Sequence, residues 1–137
     1  MKRTLFVFVG LFIAGFLLFS AIPLVRRTIQ SPSVPVVAKF SVSLSIDFGD
    51  RKTTVSEISA ATAFDALMAG AAKEQIEIKR KQYDFGVFVE EIGGVANTKE
   101  KSWIYFLNGK SGTVAADKQS VAAGDTVEWR YIEPTIE

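Results

Sequence analysis

The 137-residue chain contains no histidine and no cysteine, and these two absences remove a large part of protein chemistry. There is no imidazole to act as a general base, no thiolate nucleophile, no imidazole or thiolate metal ligand and no disulfide. Carboxylates are what remains for acid–base work. The closest pair, Glu90-Glu91, falls in an apolar stretch that reads as a strand, where neighbours point to opposite faces and cannot share a substrate. Asp47 and Asp50 flank a turn without the ligand density of a calcium loop. The chain therefore reads as a non-enzyme with no metal site and no resident cofactor. The lack of cysteine also rules out a lipoprotein acylation site.

Charge is missing from one long stretch. Leu5 to Val25 carries no ionisable side chain, and these 21 residues, at about 1.5 Å each, span roughly 31 Å as a helix, close to the hydrocarbon thickness of a bilayer. A cleaved signal peptide has a shorter apolar core and a small-x-small cleavage site. Here the position two before Ala21 is Phe19, so an uncleaved transmembrane anchor over residues 1–25 is the favoured reading. Lys2 and Arg3 on one flank nearly balance Arg26 and Arg27 on the other. The free amino group tips the balance toward a cytoplasmic N-terminus and an extracytoplasmic C-terminal part. Residues 26–38, with Pro32, Pro35 and two serines, read as a short extended linker.

Strongly basic character is also lacking. Four of the 16 basic residues and none of the 15 acidic ones lie in residues 1–38, so the remainder carries 12 against 15, a formal charge of −3. A mildly acidic domain has no counterion-displacing face for nucleic acid, and the run Lys79-Arg80-Lys81 reads as a solvated strand face.

What is present is a set of periodic segments in residues 39–137. Phe40, Val42, Leu44, Ile46 and Phe48 alternate with Ser41, Ser43, Ser45 and Asp47, the pattern of a half-buried strand. Gly49 to Lys52 turns into a second strand at Thr54–Ile58. Thr62 then opens a helix by capping the amide of Asp65, and Phe64, Leu67, Met68, Ala71 and Ala72 form its apolar face, with Gly70 weakening its middle by about 1 kcal/mol. Ile76–Tyr83, Phe85–Ile92, Ser102–Gly109 and Gly124–Tyr131 read as four more strands. The expected fold is α+β, a β-grasp-like β-β-α-β-β-β-β domain behind a transmembrane helix and short stalk.

Several pieces, in order, carry a resemblance: Ile46-Asp47-Phe48, Thr62 to Leu67, Phe85 to Val89, Ile92 to Val95, Trp103 to Gly109, Ala115-Ala116-Asp117, Gly124-Asp125 and Glu128-Trp129-Arg130. Over about residues 42–131 the chain resembles the transcobalamin-like C-terminal domain family, small extracytoplasmic modules related to the β-domain of vitamin B12 carriers. The resemblance implies a membrane-anchored binding or interaction module at the cell surface that can contribute one wall of a corrinoid or other small-molecule site. In the carriers a large helical domain supplies the opposite wall, and this sequence holds none. The carriers' ligand contacts do not transfer residue by residue. A structural surface module that recognises a partner protein or a polysaccharide is the alternative.

The aromatic residues are the remaining candidates. Val127, Trp129 and Tyr131 alternate with Thr126, Glu128 and Arg130, so Trp129 should point into the core. Trp103 and Tyr105 lie on a strand with apolar residues on both sides, and pattern does not fix their face. Only one sheet face can meet a single helix. If Trp103 and Tyr105 lie on the other face, they form an exposed ligand-binding patch.

Overall fold

The structure, a computed structural model, describes residues 37–134. The expected anchor and most of the expected stalk lie outside the described residues. Among the described residues no helix is long and apolar enough to cross a membrane. The elements are β1 (Phe40–Asp47), β2 (Lys52–Ala60), α1 (Ala63–Lys73), β3 (Ile78–Tyr83), β4 (Gly86–Ile92), β5 (Val95–Ala96), β6 (Ser102–Leu107), β7 (Lys110–Ser111) and β8 (Thr126–Ile132). The fold is α+β, mostly sheet with one short helix. The six strands expected from periodicity are present, together with the two-residue strands β5 and β7.

Five strands form one sheet in the order β2-β1-β8-β6-β7, and three form another in the order β3-β4-β5. β1 and β8 run parallel at the centre of the larger sheet, with Leu44 opposite Val127 and Ile46 opposite Trp129. β8 pairs antiparallel with β6, which sets Tyr105 opposite Trp129 and Trp103 opposite Tyr131. Residues opposite one another share a face. The period-2 alternation therefore puts Val42, Leu44, Ile46, Val127, Trp129, Tyr131, Trp103 and Tyr105 on one side of the larger sheet.

That face has two covers. Over β1 and β2 lies α1, packed so closely that a Cβ on Gly70 would stand 2.3 Å from Leu44 Cδ2. The glycine that weakens the helix locally is what lets it seat on the sheet. Over β6 and the end of β8 lies the smaller sheet, whose Val89 and Ile92 join the same buried cluster as Trp103 and Trp129. Val89 and Ile92 are three residues apart, and both face inward because the β3–β4 register slips at Lys79/Arg80, leaving Glu90 as the extra residue of a bulge. The same device brings Val55 and Ile58 inward on β2, where the register shifts between Val42 and Leu44 and Glu57 takes φ 55°.

The long connection after β7 is ordered by the helix. Thr62 Oγ accepts the amide of Asp65 at 3.1 Å, as its position predicts. The amides of Ala63 and Phe64, which no intrahelical carbonyl can reach, donate to Gln119 and Ala116. Ala116 and Val121 are buried as a result. At the other end of the connection Asn108 and Asp125 lock the β6–β7 turn to the start of β8. Asn108 Nδ2 donates to Asp125 Oδ1 at 2.9 Å, and Thr126 N donates to Asn108 Oδ1 at 2.9 Å.

Candidate functional site: a slot between the two sheets

Trp103 and Tyr105 are 4% and 7% exposed, so they do not form an open patch. The expectation of a patch allowed the sheet face one cover, the helix. The smaller sheet is a second cover, and it lies over the same face, so both residues are buried on the side that also holds Trp129. Each has its polar atom occupied. Trp103 Nε1 donates to the Val95 carbonyl at 2.8 Å, and the Tyr105 hydroxyl donates to the Val114 carbonyl at 2.6 Å. Burial raises the Tyr105 phenol above its ordinary pKa, and the charge of Asp117 adds to the rise.

The cover over them is not closed. β4 and β6 approach as two strand edges that do not pair with each other, and side chains join them. Asn97 Nδ2 donates to the Val89 carbonyl at 2.8 Å, while its Oδ1 accepts the Trp103 amide at 2.9 Å. Asp117 Oδ1 accepts the Val87 amide at 2.9 Å. Burial works against charge on Asp117, but this amide and Lys118 outweigh it and hold the carboxyl below its ordinary pKa. Between these ties remains a cavity of about 150 Å³ whose lining includes Val87, Phe88, Trp103, Tyr105, Gly112 and Trp129. Gly112 is a wall set by close approach, since a Cβ there would stand 1.9 Å from the Tyr105 ring.

Trp129 forms part of this lining and stacks obliquely on Tyr105, with centroids 5.6 Å apart at 40°. It is 3% exposed, and its Nε1 has no acceptor among the described residues. An unpaired buried donor costs on the order of 1–3 kcal/mol.

The slot has an aromatic rim. Phe88, 41% exposed, lines the cavity and meets Tyr83 edge-on at 6.3 Å. Tyr83 in turn stacks on Phe85 at 5.2 Å and 7°, and Phe85 is 62% exposed at the β3–β4 turn. Tyr83, Phe85 and Phe88 are not among the site candidates read from the sequence, which are Trp103 and Tyr105. The missed signal is β3 itself: Lys79, Arg80, Lys81 and Gln82 interrupt the alternation of a covered strand, and among the described residues β3 is exposed throughout after Ile78.

The other candidates are occupied structurally. Lys79 Nζ lies 3.0 Å from Glu91, Arg80 sits over Phe64 and Lys81 over Tyr83. Asp47 Oδ1 accepts the Gly49 amide within its turn. No group of three acidic side chains that could hold a metal ion occurs among the described residues. A second, wider cavity of about 450 Å³ lies by the end of α1, lined by Phe48, Arg51, Glu74, Glu77 and the Gly93-Gly94 turn among others. The open face of the larger sheet carries Glu128 between Lys52, at 2.8 Å, and Arg130. Arg130 above all, with Lys52, holds the Glu128 carboxyl below its ordinary pKa against the effect of burial.

A five-stranded sheet with a central parallel pair, covered on one face by a helix and a second small sheet, is a small α+β module with an aromatic slot. Residues 60–133 match the family described as a domain of unknown function, DUF4430, and the chain belongs to that family. No curated protein matches the sequence. Among solved structures the chain is similar to haptocorrin in complex with Cbi, with a TM-score of 0.64 at 13% identity over 73% of this chain. It spans only 26% of the haptocorrin chain. It is also similar to a protein of Ruminococcus gnavus ATCC 29149 described as a candidate metal-binding protein, with a TM-score of 0.57 at 16% identity over 70% of this chain and 99% of that one. The resemblance to the transcobalamin-like C-terminal domain read from the sequence thus holds at the level of the fold.

Proposed function

We propose that this chain is a non-enzymatic binding module whose ligand side is the slot between the two sheets and its rim of Tyr83, Phe85 and Phe88. The observation that carries the reading is an exposed, mutually stacked aromatic group leading to an aromatic-lined cavity, in a domain whose other large apolar side chains are mostly packed. Binding sites combine apolar walls with a few placed polar groups in this way. Its similarity to haptocorrin, crystallised with Cbi, supports the same class. The slot is far too small for a corrin ring. A corrinoid, haem or another flat ligand would lie against the rim, with this domain as one wall and a partner as the other.

In this proposal residues 1–25 anchor the protein in the membrane as a single span, residues 26–38 form the linker, and residues 39–137 form an extracytoplasmic domain. That the fold is a β-grasp variant, with its opening hairpin, helix and parallel last strand, belongs to the same proposal. The test is a thermal-shift screen of the full-length chain against corrinoids, haem and cell-wall glycans, repeated on Phe85→Ser and Phe88→Ala. A ligand that raises Tm for the parent and not for the rim variants supports the site. A ligand whose effect is untouched by both variants rules it out. The second reading, a surface module that recognises a protein or polysaccharide, is favoured by the outward position of Phe85. In that case Phe85→Ser abolishes binding while Phe88→Ala, nearer the slot, does not. Mass spectrometry of the mature N-terminus tests the anchor: a chain beginning between Ser20 and Val37 would make the protein secreted.

A further inference from the structure

The backbone groups of β4 and β6 point at one another across the slot. In an antiparallel ladder the N–H and C=O of one residue turn to the same side. The Val87 N–H reaches Asp117 and the Val89 C=O takes Asn97 Nδ2, so both residues turn their N–H and C=O away from β3 and toward β6. On the opposite edge the Trp103 N–H reaches Asn97 Oδ1 and the Tyr105 C=O takes the Gly112 N–H at 3.0 Å, so these two turn theirs away from β8 and toward β4. All four residues line the cavity. Asn97 shows what fits between such edges: a planar carboxamide that donates to the Val89 C=O on one side and accepts the Trp103 N–H on the other. At the other end of the slot Val87 and Tyr105 both reach the 114–117 segment, through Asp117 Oδ1 and the Val114 carbonyl. The edges therefore run in opposite directions, and two residues along from Asn97 the Val87 C=O and the Tyr105 N–H stand in the relation that the Val89 C=O and the Trp103 N–H have at Asn97. β4 and β6 do not pair with each other, and among the described residues no turn or loop backbone group bonds either of these two groups. A buried backbone group left unpaired costs about as much as a lost hydrogen bond.

We propose that the slot seats a primary carboxamide on a small apolar body, which repeats Asn97 two residues along the gap: its N–H donates to the Val87 C=O and its carbonyl accepts the Tyr105 N–H. The cavity of about 150 Å³ admits a group of about six non-hydrogen atoms. The body lies among the aromatic walls and leaves past Phe88 toward the rim. A ketone in the same place leaves the Val87 C=O unpaired, and a carboxylate brings it a second acceptor, so the site selects the carboxamide over both. The inference rests on the proposed binding function and goes further by naming the group the slot takes.

Isobutyramide and 3-methylbutan-2-one provide the test, since they share size and shape and differ only in an amino group against a methyl group. The readout is the backbone NMR spectrum of the full-length protein, labelled with 13C and 15N and solubilised in detergent. Saturation with isobutyramide should move the Tyr105 N–H proton and the Val87 carbonyl carbon downfield. The ketone should move the Tyr105 proton, leave the Val87 carbon in place and bind at least about fivefold more weakly. Equal affinities with an unmoved Val87 carbon would overturn the carboxamide chemistry and leave the slot as a binding site. Shifts confined to residues outside the slot, or binding of neither probe at concentrations up to about 0.1 M, would overturn both.

Discussion

One face of the larger sheet is covered in two ways. Over β1 and β2 the cover is α1, an alanine-rich helix seated so tightly that Gly70 has no room for a methyl group, and its Leu67 is fully buried with Leu44 and Ile58 of the sheet beneath it. Over β6 and the end of β8 the cover is a three-stranded sheet held by Asn97, Asp117, the Trp103 indole on Val95 and the Tyr131 hydroxyl on Ala96, and a cavity remains beneath it. A helix satisfies its own backbone and can be pressed flat on a sheet. A second sheet whose edge faces β6 must have its edge amides and carbonyls satisfied by side chains, which leaves gaps. The helix side holds the domain together, and the sheet side has the shape and exposed aromatic surface of a binding face.

The largest effects should appear where either cover meets the sheet. Leu44→Ala on one side and Trp103→Ala or Trp129→Ala on the other should each cost about 3–5 kcal/mol. A domain of this size has little more than that to lose, so urea unfolding should find all three largely unfolded. Trp103→Ala is the informative member. Had the residue lain in an open patch, the fold would have tolerated its loss, and a wild-type midpoint would remove it from the core.

Next come the ties peculiar to the sheet side. Asn97→Ala strands the Trp103 amide and the Val89 carbonyl, and should cost about 1–3 kcal/mol. Gly112→Ala should cost a similar amount by displacing the Tyr105 ring, and should shift the Trp129 fluorescence with it. If neither variant changes the unfolding midpoint, the two covers are not held differently.

How much of this was legible in the sequence follows the same division. The β1 alternation, the Thr62 cap and the inward face of β8 could be read because each is local, set by period or by a three-residue spacing. The second cover could not, because it depends on the bulge at Glu90 that lets Val89 and Ile92, three residues apart, face the same way, and no period-2 reading anticipates a slip. Trp103 and Tyr105 were recognisable as important, but their burial depends on where a distant sheet folds back. Trp129 was recognisable as core. That its indole lacks an acceptor emerges only from the packing.

Acid should have a smaller effect, and one spread over both faces. Asp117, Asp125 and Glu128 have pKa values below their ordinary ones: the Val87 amide and Lys118 hold Asp117 against its burial, Asn108 and the Ala122 amide hold Asp125, and Arg130 and Lys52 hold Glu128. A carboxyl depressed in the folded state contributes stability in full above its unfolded pKa, and that contribution is lost as pH falls through the folded value. Stability should therefore hold steady above about pH 5 and decline below about pH 4. Glu128→Gln should flatten part of that decline in an acid titration followed by circular dichroism. The smallest effect belongs to Phe85→Ser, which should change stability by less than about 0.5 kcal/mol because the ring is exposed, while removing any ligand that docks on the rim.

Native-state hydrogen exchange of the full-length chain tests the contrast between the two covers most directly. Amides of Leu44, Ile46, Ile58 and Leu67 should exchange only through global unfolding, with one common free energy. Those of Val87 and Trp103, which donate to side chains across the slot, should exchange through smaller openings with a lower free energy, and a ligand in the slot should raise it. A single free energy for both groups, unchanged by ligand, would contradict the account.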